Sequence, residues 1–114
     1  MPLYPSPVTP VSSPSLATYY VISDVTCVVK RATVTNTSAG TLYLHLFDAK
    51  ELPDPGTAPA VTPITVSAGT ANGNDWRPEG VRFPHGCVAA LSSTLDTLTI
   101  VGSAVGRFFA ELER

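Results

Sequence analysis

Short segments in which every second residue is apolar recur along this chain, and Gly, Pro, Asn or Asp separates each segment from the next. This alternation is typical of β-strands with one buried face, because successive side chains of a strand point to opposite faces. In the last segment, RFFAELE, the residues Phe108, Ala110 and Leu112 share one parity. No run of ten or more residues has a clear 3.6-residue period, although the C-terminus shows a weak one. The pattern therefore predicts an all-β fold built from short strands.

One long segment, VTCVVKRATVTNT, changes phase near Lys30. Cys27 and Val29 are apolar on one parity, whereas Ala32 and Val34 are apolar on the opposite parity. A slip by one residue indicates a β-bulge or a strand that passes between sheets. The segment CVAALSS is apolar at consecutive positions, as expected for a central strand with both faces covered. We predict a further strand from DTLTIVG, residues 96–102. The predicted core includes Phe83, Leu98, Ile100 and Phe108.

Prolines set the N-terminal region apart from the rest of the chain. Five of the eleven prolines lie within the first 14 residues, and proline both fixes φ and lacks a backbone donor. We therefore predict an extended arm over residues 1–16, followed over residues 17–114 by a β-sandwich or jelly-roll-like barrel of about eight short strands. The arm also carries apolar side chains that a free tail would leave in water, so we expect it to dock on a neighbouring subunit. These side chains are Leu3, Tyr4, Val8, Val11 and Leu16.

Charged residues make up only 14% of the 114 residues, against about 25% in typical soluble proteins. A surface with so few charges favours a protein that is largely covered by partners. The seven Lys and Arg residues are scattered and form no basic patch for nucleic acid. No segment reaches the roughly 18 apolar residues of a membrane helix. The N-terminus also lacks the charge and the apolar run of a signal peptide, so we expect the protein to fold in a cytoplasm.

Candidate catalytic and metal-binding residues are few. In a reducing cytoplasm Cys27 and Cys87 are expected to be free, buried thiols. Two Cys and two His at unrelated spacings match no ligand pattern, so we predict no metal and no cofactor. We expect His45 to be hydrogen-bonded on a half-exposed strand face and His85 to lie in a turn. Two acidic pairs fall on predicted turns, where Asp also accepts hydrogen bonds from backbone N–H groups: Asp48 with Glu51, and Asp75 with Glu79. The prediction is that the protein is not an enzyme.

The segment NGNDW ends in the only Trp of the chain, Trp76. Asn-Gly is a strong signal for a tight turn, so we predict a turn at Asn72. Trp76 is interpreted either as a core anchor or as an exposed interface anchor. Trp and Arg dominate interface energetics, which makes Trp76 and Arg77 candidate partner-binding residues. Asn36 begins an Asn-Thr-Ser glycosylation sequon, which we interpret as a β-turn because no secretory signal accompanies it.

Two stretches of the chain resemble a group of small virion proteins of tailed bacteriophages. They are RATVTNTSAGTLYLHLFDAKELPDPGTAPAVTPITVSAG and EGVRFPHGCVAALSST. In that group a strand ending in Thr-Asn-Thr leads to an LYLxLFDA strand, a loop rich in Pro and Gly, and a Val-x-Ala-Gly turn. A hairpin and an A-x-S-T strand follow. The similarity extends from Arg31 to about Thr94, and it rests on strand and turn patterns. The Pro-rich N-terminus departs from the pattern of the group.

The resemblance implies a β-sandwich component of the particle, with a capsid cement or decoration protein as the nearest functional type. Such a protein would sit on the capsid surface as a dimer or trimer and bind major capsid protein or other virion subunits. Besides Leu3, Tyr4, Val8 and Val11 of the arm, the expected contacts are Pro53, Pro55, Trp76 and Arg77. Tyr43, His45 and Phe47 form a strand face that leads into the Pro-rich loop of residues 51–63, which we expect to be shaped for contact.

Two alternatives remain open at this point. The first is a structural protein of the tail, neck or fibre of the virion. The second is a carbohydrate-binding β-sandwich used for adhesion to a host surface. Glycan sites favour exposed aromatic side chains beside polar groups, and Trp76 with Tyr43 or Tyr19 would supply the aromatic part.

Overall fold

The computed structural model describes residues 8–114, which fold into two antiparallel β-sheets packed face to face. The strands are β1 Thr9–Ser12, β2 Tyr19–Ser23, β3 Cys27–Asn36, β4 Leu42–Asp48, β5 Ile64–Val66, β6 Ala71–Asp75, β7 Val81–Phe83, β8 Cys87–Ser92 and β9 Gly106–Glu113. Sheet A has the order β1-β9-β3-β6, with β7 also paired to β3; sheet B has the order β2-β8-β4-β5. The prediction of an all-β sandwich is confirmed. No helix long and apolar enough to cross a membrane occurs in residues 8–114.

The strand pairs are nested, so that the chain folds back on itself as one long, rolled hairpin. β1 pairs with β9, β2 with β8, β3 with β6, and β4 with β5. This pairing, with members of each sheet taken alternately along the chain, is that of a jelly roll. Two opposite sides of the sandwich follow from it: β1 and β2 form the edges on one side, and β6 and β5 form the edges on the other.

The inward face of each strand follows the apolar alternation of the sequence. In β9 the inward residues Phe108, Ala110 and Leu112 are buried, as is Phe83 of β7. β8 is buried at all six positions, which confirms the prediction of a strand covered on both faces. The register of β3 against β9 shifts between Val29 and Arg31, so the predicted bulge is also confirmed.

Residues 96–102 do not form the predicted strand. Ile100 makes only an isolated bridge to Ser92 and is half-buried. The rest of the segment is a loop that crosses the outer face of sheet B, where Leu98 packs with Phe47 and Ala90 in a second apolar cluster. The Leu98 N–H donates to the Thr57 carbonyl oxygen, 2.9 Å away. Leu98 is therefore buried between sheet B and the loop that follows β4. A period-2 pattern cannot distinguish this kind of burial from burial in a sheet.

The predicted turn at NGNDW is wrong, because Asn72 to Asp75 belong to the edge strand β6, and Trp76 follows directly after this strand. Gly73 is required there by a close approach of two backbones. A Cβ atom on Gly73 would lie 2.6 Å from the Cα atom of Thr33 and would overlap the carbonyl oxygen of Ala32. A glycine inside a strand often marks such a contact, whereas an Asn-Gly turn needs glycine for its backbone angles.

The expectation that prolines exclude regular structure from the whole arm is wrong for Thr9–Ser12, which pair with β9 as strand β1. The Ser13 N–H donates to the Phe108 carbonyl oxygen at 2.9 Å, so alternation along β1 turns the nitrogen of Pro10 to the free side of the strand. Proline is compatible with an edge strand in that position. Val11 packs against the core, and the sandwich thus begins at Thr9 rather than at residue 17. Leu3 and Tyr4 lie outside the described residues.

Phe108→Ala should reduce the free energy of unfolding by about 3–5 kcal/mol, because the ring is buried between the sheets and its loss leaves a cavity. Phe109→Ala is the matched control, since Phe109 is half-buried on the outer face beneath the Arg31 guanidinium and should cost about 1 kcal/mol. Urea unfolding of the two variants measures both values. Equal losses for the two variants would contradict the assigned strand phase.

Candidate functional site

The strand face that the sequence offers as a contact surface is covered by the chain itself. His45 is fully buried and Phe47 is only 2% exposed. Leu52 and Ile100, from the two loops that follow β4 and β8, pack against the cluster that contains Phe47. The Ala60 N–H donates to the Leu46 carbonyl oxygen at 2.8 Å, which ties the first loop to β4. The expectation of a half-exposed His45 is wrong, because sheet B carries a third layer of loops on its outer face.

His45 is a buried, neutral imidazole. Its Nε2 atom lies 2.9 Å from the Leu95 carbonyl oxygen, and because a carbonyl only accepts, Nε2 carries the proton. Its Nδ1 atom is buried and has no hydrogen-bond partner within residues 8–114. Burial lowers the pKa of His45, since a second proton would place a charge inside the protein. The side chain therefore contributes to the packing of the covering loops.

Asp48 and His85 form the clearest pair of titratable groups on the surface. The backbone N–H of His85 donates to Asp48 Oδ1 at 2.9 Å, and the imidazole Nδ1 lies 3.0 Å from Oδ2. The backbone hydrogen bond, followed by the side-chain one, lowers the pKa of Asp48. His85 lies in the turn between β7 and β8, as predicted, and the pair ties that turn to the end of β4. No group of three or more His, Cys, Asp or Glu side chains is placed to hold a metal ion in residues 8–114.

Trp76 contacts both the core and a surface cavity. It packs against the main apolar cluster, and it also lines a cavity of about 380 Å³ together with Ala60, Val61, Thr62 and Asn74. The neighbouring Arg77 is exposed and forms an ion pair with Asp75; hydrogen bonds from Arg77 hold the pKa of Asp75 at about 2. Trp76 and Arg77 are therefore adjacent on one surface.

The remaining candidate partner residues are spread over the molecule. Pro53 is half-buried and Pro55 is exposed, both on the loop that covers sheet B. Val8 is 40% exposed at the edge of sheet A, on the opposite side of the sandwich from Trp76. The structure thus brings Trp76 together with Arg77, but it does not bring these residues together with Val8. A contact between any of them and a partner stays a prediction.

The thiols and the sequon are both internal. Cys27 and Cys87 are buried and free in the structure, and burial raises the pKa of each thiol. Asn36 is fully buried at the end of β3. Its side-chain amide donates to the carbonyl oxygens of Gly40 and Val66, and its Oδ1 accepts from the Ser38 N–H. The Asn-Thr-Ser sequence therefore shapes a turn, as predicted, and the Asn36 amide is inaccessible in the folded protein.

No protein-family model, curated protein or solved structure matches this chain.

Ser13 is a buried polar residue that joins the arm to the last strand, and sequence reasoning does not identify it. Its Oγ accepts a hydrogen bond from the Phe108 N–H at 3.0 Å, and its own N–H donates to the Phe108 carbonyl oxygen. The two bonds fix the point at which β1 leaves sheet A. A serine flanked by Ser12 and Pro14 has no apolar pattern to signal burial, so only the pairing of β1 with β9 reveals this role.

Burial of neutral His45 makes the folded protein sensitive to acid. The unfolded imidazole has a pKa near 6.5 and the folded one has a lower pKa, so the unfolded state takes up the proton first as the pH falls. The free energy of unfolding is therefore unaffected by His45 above about pH 6.5 and decreases below it. His45→Gln can still donate to Leu95 and does not titrate. From about pH 7.5 to about pH 5.5 its melting temperature should fall less than that of the wild type.

The matched control is His85→Gln, which alters the exposed histidine. This variant should keep the acid-induced drop of the wild type, because the side chain of His85 is 75% exposed. Thermal melts of the three proteins at both pH values provide the comparison. A drop in His45→Gln as large as that of the wild type would contradict the assignment.

Proposed function

We propose that this protein is a non-enzymatic structural component of a bacteriophage virion, and specifically a capsid cement or decoration protein that binds neighbouring major capsid subunits. Jelly rolls are common among viral capsid proteins, although they also occur in lectins and cupins. Fold alone does not decide function. The proposal therefore depends on where the molecule offers surface to a partner.

The observation that carries the proposal is the pairing of β1 with β9. Four residue pairs join the second half of the Pro-rich arm to the last strand, so the arm is rooted in the sandwich rather than tethered by a linker. Residues 1–7 precede this strand in the sequence and include Leu3 and Tyr4. A rooted arm with preset φ angles loses less conformational entropy when it docks than a free tail does.

The distribution of exposed apolar side chains also favours the side of the arm as the attachment surface. Large hydrophobic residues that are exposed in the described part of the chain are Val8, Leu16, Tyr19, Val25 and Leu95. Three of these five lie on the side where the arm is rooted: Val8 directly precedes β1, Leu16 lies between β1 and β2, and Tyr19 begins β2. Exposed apolar groups gathered on one side of a small protein are typical of a contact surface.

The outer faces of the two sheets are less suited to a partner. Sheet B is covered by its own loops. On sheet A, Lys30 pairs with Glu113 at 3.2 Å and Arg31 pairs with Glu111 at 3.1 Å, so the charges there are already matched within the chain. Arg31 also lies 5.3 Å from the ring centre of Phe109. Attachment through the arm leaves these contacts intact.

Deleting residues 2–7 should leave the sandwich folded, because β1 and its pairs with β9 remain. The truncated protein and the full-length protein are added to particles assembled without it, and bound copies are counted after sedimentation. We expect occupancy to fall about tenfold or more, since contacts repeated over a lattice multiply small losses.

A matched pair of double variants separates the arm from general surface hydrophobicity. Leu3→Ser with Tyr4→Ser should lower occupancy, whereas Val25→Ser with Leu95→Ser changes two exposed apolar residues of the body and should not. Equal occupancy of all four proteins would contradict the proposal. Binding confined to a few copies at the tail or neck would instead favour the alternative of a tail, neck or fibre protein.

The cavity beside Trp76 favours carbohydrate binding as a second candidate function. An aromatic ring next to the Asn74 amide and the Thr62 hydroxyl is a combination that glycan sites use, and the volume of about 380 Å³ is within the range of small-ligand sites. If the protein binds glycans here, Trp76→Phe should weaken binding on a glycan array by about tenfold. Tyr19→Ala, on the opposite side, should not. Absence of binding by the wild type to every glycan would exclude this candidate.

A further inference from the structure

The free edges of the two sheets differ in how their backbone polar groups are satisfied. An exposed edge strand presents unpaired N–H and C=O groups to which another strand can add, and proteins normally block such edges. Four strands of this sandwich lie at the ends of the sheet orders: β1 and β6 in sheet A, and β2 and β5 in sheet B. β7, which has three residues and pairs with β3 beside β6, is a further short edge of sheet A. Three of the four end strands are blocked, each by a different device.

The edge of β6 is capped by its own side chains. Trp76 donates its N–H to Lys30 of β3, so alternation turns the N–H groups of Gly73, Asp75 and Arg77 outward. Each of these is bonded locally. Gly73 donates to Asn72 Oδ1 at 2.9 Å, Asp75 donates to Asn74 Oδ1 at 2.9 Å, and Arg77 donates to Asp75 Oδ1 at 3.0 Å. A partner strand would have to displace all three caps.

The edges of β1 and β5 are blocked as well. In β1 the outward-facing nitrogens are those of Pro10 and Ser12, and the row of donors is broken because Pro10 has no hydrogen to donate. In β5 the carbonyl oxygen of Thr65 accepts a hydrogen bond from the Asn72 side chain at 2.9 Å, so the neighbouring strand of sheet A covers it. Neither edge presents a complete row of donors and acceptors.

The edge of β2 has none of these devices. The Leu91 N–H donates to the Thr18 carbonyl oxygen, so Thr18 and Tyr20 face β8, whereas the N–H and C=O groups of Tyr19 and Val21 face outward. These four groups have no hydrogen-bond partner within residues 8–114. Residues 17–23, ATYYVIS, contain no charge and no proline. Tyr19 is 41% exposed. Such a segment is a strong template for strand addition.

We propose that the β2 edge is a homodimer interface, at which β2 of a second copy adds in antiparallel orientation and joins two sheets B into one. The strand is complementary to itself about a two-fold axis at Tyr20. In that register Tyr19 lies opposite Val21 of the second copy and forms two backbone hydrogen bonds with it, and the symmetric pair forms two more.

Side chains also fit this register. Aromatic residues opposite β-branched residues are favourable cross-strand pairs, and Tyr19 with Val21 occurs twice. No like charges meet along the paired segment, because residues 17–23 contain no charged side chain. The Pro-rich arm of another copy is a poorer occupant, because three of its first seven residues are proline and lack the required donor.

The test uses the full-length protein in solution and requires no virus particle, so its outcome is independent of the proposed function. Sedimentation velocity over a concentration series should show a dimer for the wild type. Tyr19→Lys places a charge opposite each Val21 and should weaken dimerisation by about tenfold or more. Ala71→Lys is the matched control, since it adds the same charge to an exposed residue on the edge strand β6 of the other sheet, and should leave the dimer unchanged.

Cysteine crosslinking tests the register directly. In a hydrogen-bonded antiparallel pair the Cα atoms are about 5.5 Å apart, which suits a disulfide. A mixture of Tyr19→Cys and Val21→Cys proteins should therefore form crosslinked dimers under mild oxidation. Each variant alone should form few, because identical positions lie on the diagonal and are further apart. A monomeric wild type, a dimer that survives Tyr19→Lys, or equal crosslinking in the separate and mixed samples would each overturn the proposal.

Discussion

The pairing of β9 with β3 is the interaction on which the rest of the structure depends. It runs along almost the whole of both strands, from the pair Val28 and Glu113 to the pair Asn36 and Gly106. The buried side chains of both strands form the centre of the core, and within residues 8–114 β9 is the one strand that pairs with β1. Because β9 is the last strand and β3 is near the start, the chain must be almost complete before this pairing forms. The N-terminal strand can join sheet A only after that.

The same pairing decides which parts of the surface remain available. β1 on one side of β9 ends the sheet, and the Ala17 N–H donates to the Gly106 carbonyl oxygen at 2.8 Å as the chain crosses to sheet B. This crossing places the open β2 edge next to the root of the arm. The opposite side is sealed where the Asn72 side chain reaches Thr65. The molecule is thus asymmetric: side-chain amides cap the edges on one side, whereas on the other side Pro10 interrupts the β1 edge and the β2 edge is open.

Much of the fold follows from local pattern, but the surface does not. The alternation in β9, the apolar run of β8 and the phase slip at Lys30 each correspond to a physical constraint within one segment, namely which face of a strand is buried. The function of Gly73 depends on the backbone of β3 some 40 residues earlier in the chain, and burial of His45 depends on a carbonyl group at Leu95. Residues that gain their role from distant segments carry no local signature. The strand at Thr9–Ser12 has no local signature for the same reason, since its stability comes from β9 and the core contact of Val11.

An arm and an open edge on one side have a combined consequence. A two-fold axis at Tyr20 relates two copies of sheet B, and the root of each arm lies beside its own β2, in the facing sheet. The proposed dimer would therefore carry two arms, both rooted close to the interface. Two linked contacts bind a lattice more tightly than either one alone when their spacing matches that of the sites. The extra affinity needs no stronger contact in either arm, which suits short, Pro-rich segments with few side chains to contribute. Under the proposed function, the absence of caps on β2 has a physical reason: blocking this edge as β6 is blocked would leave each copy with a single point of attachment.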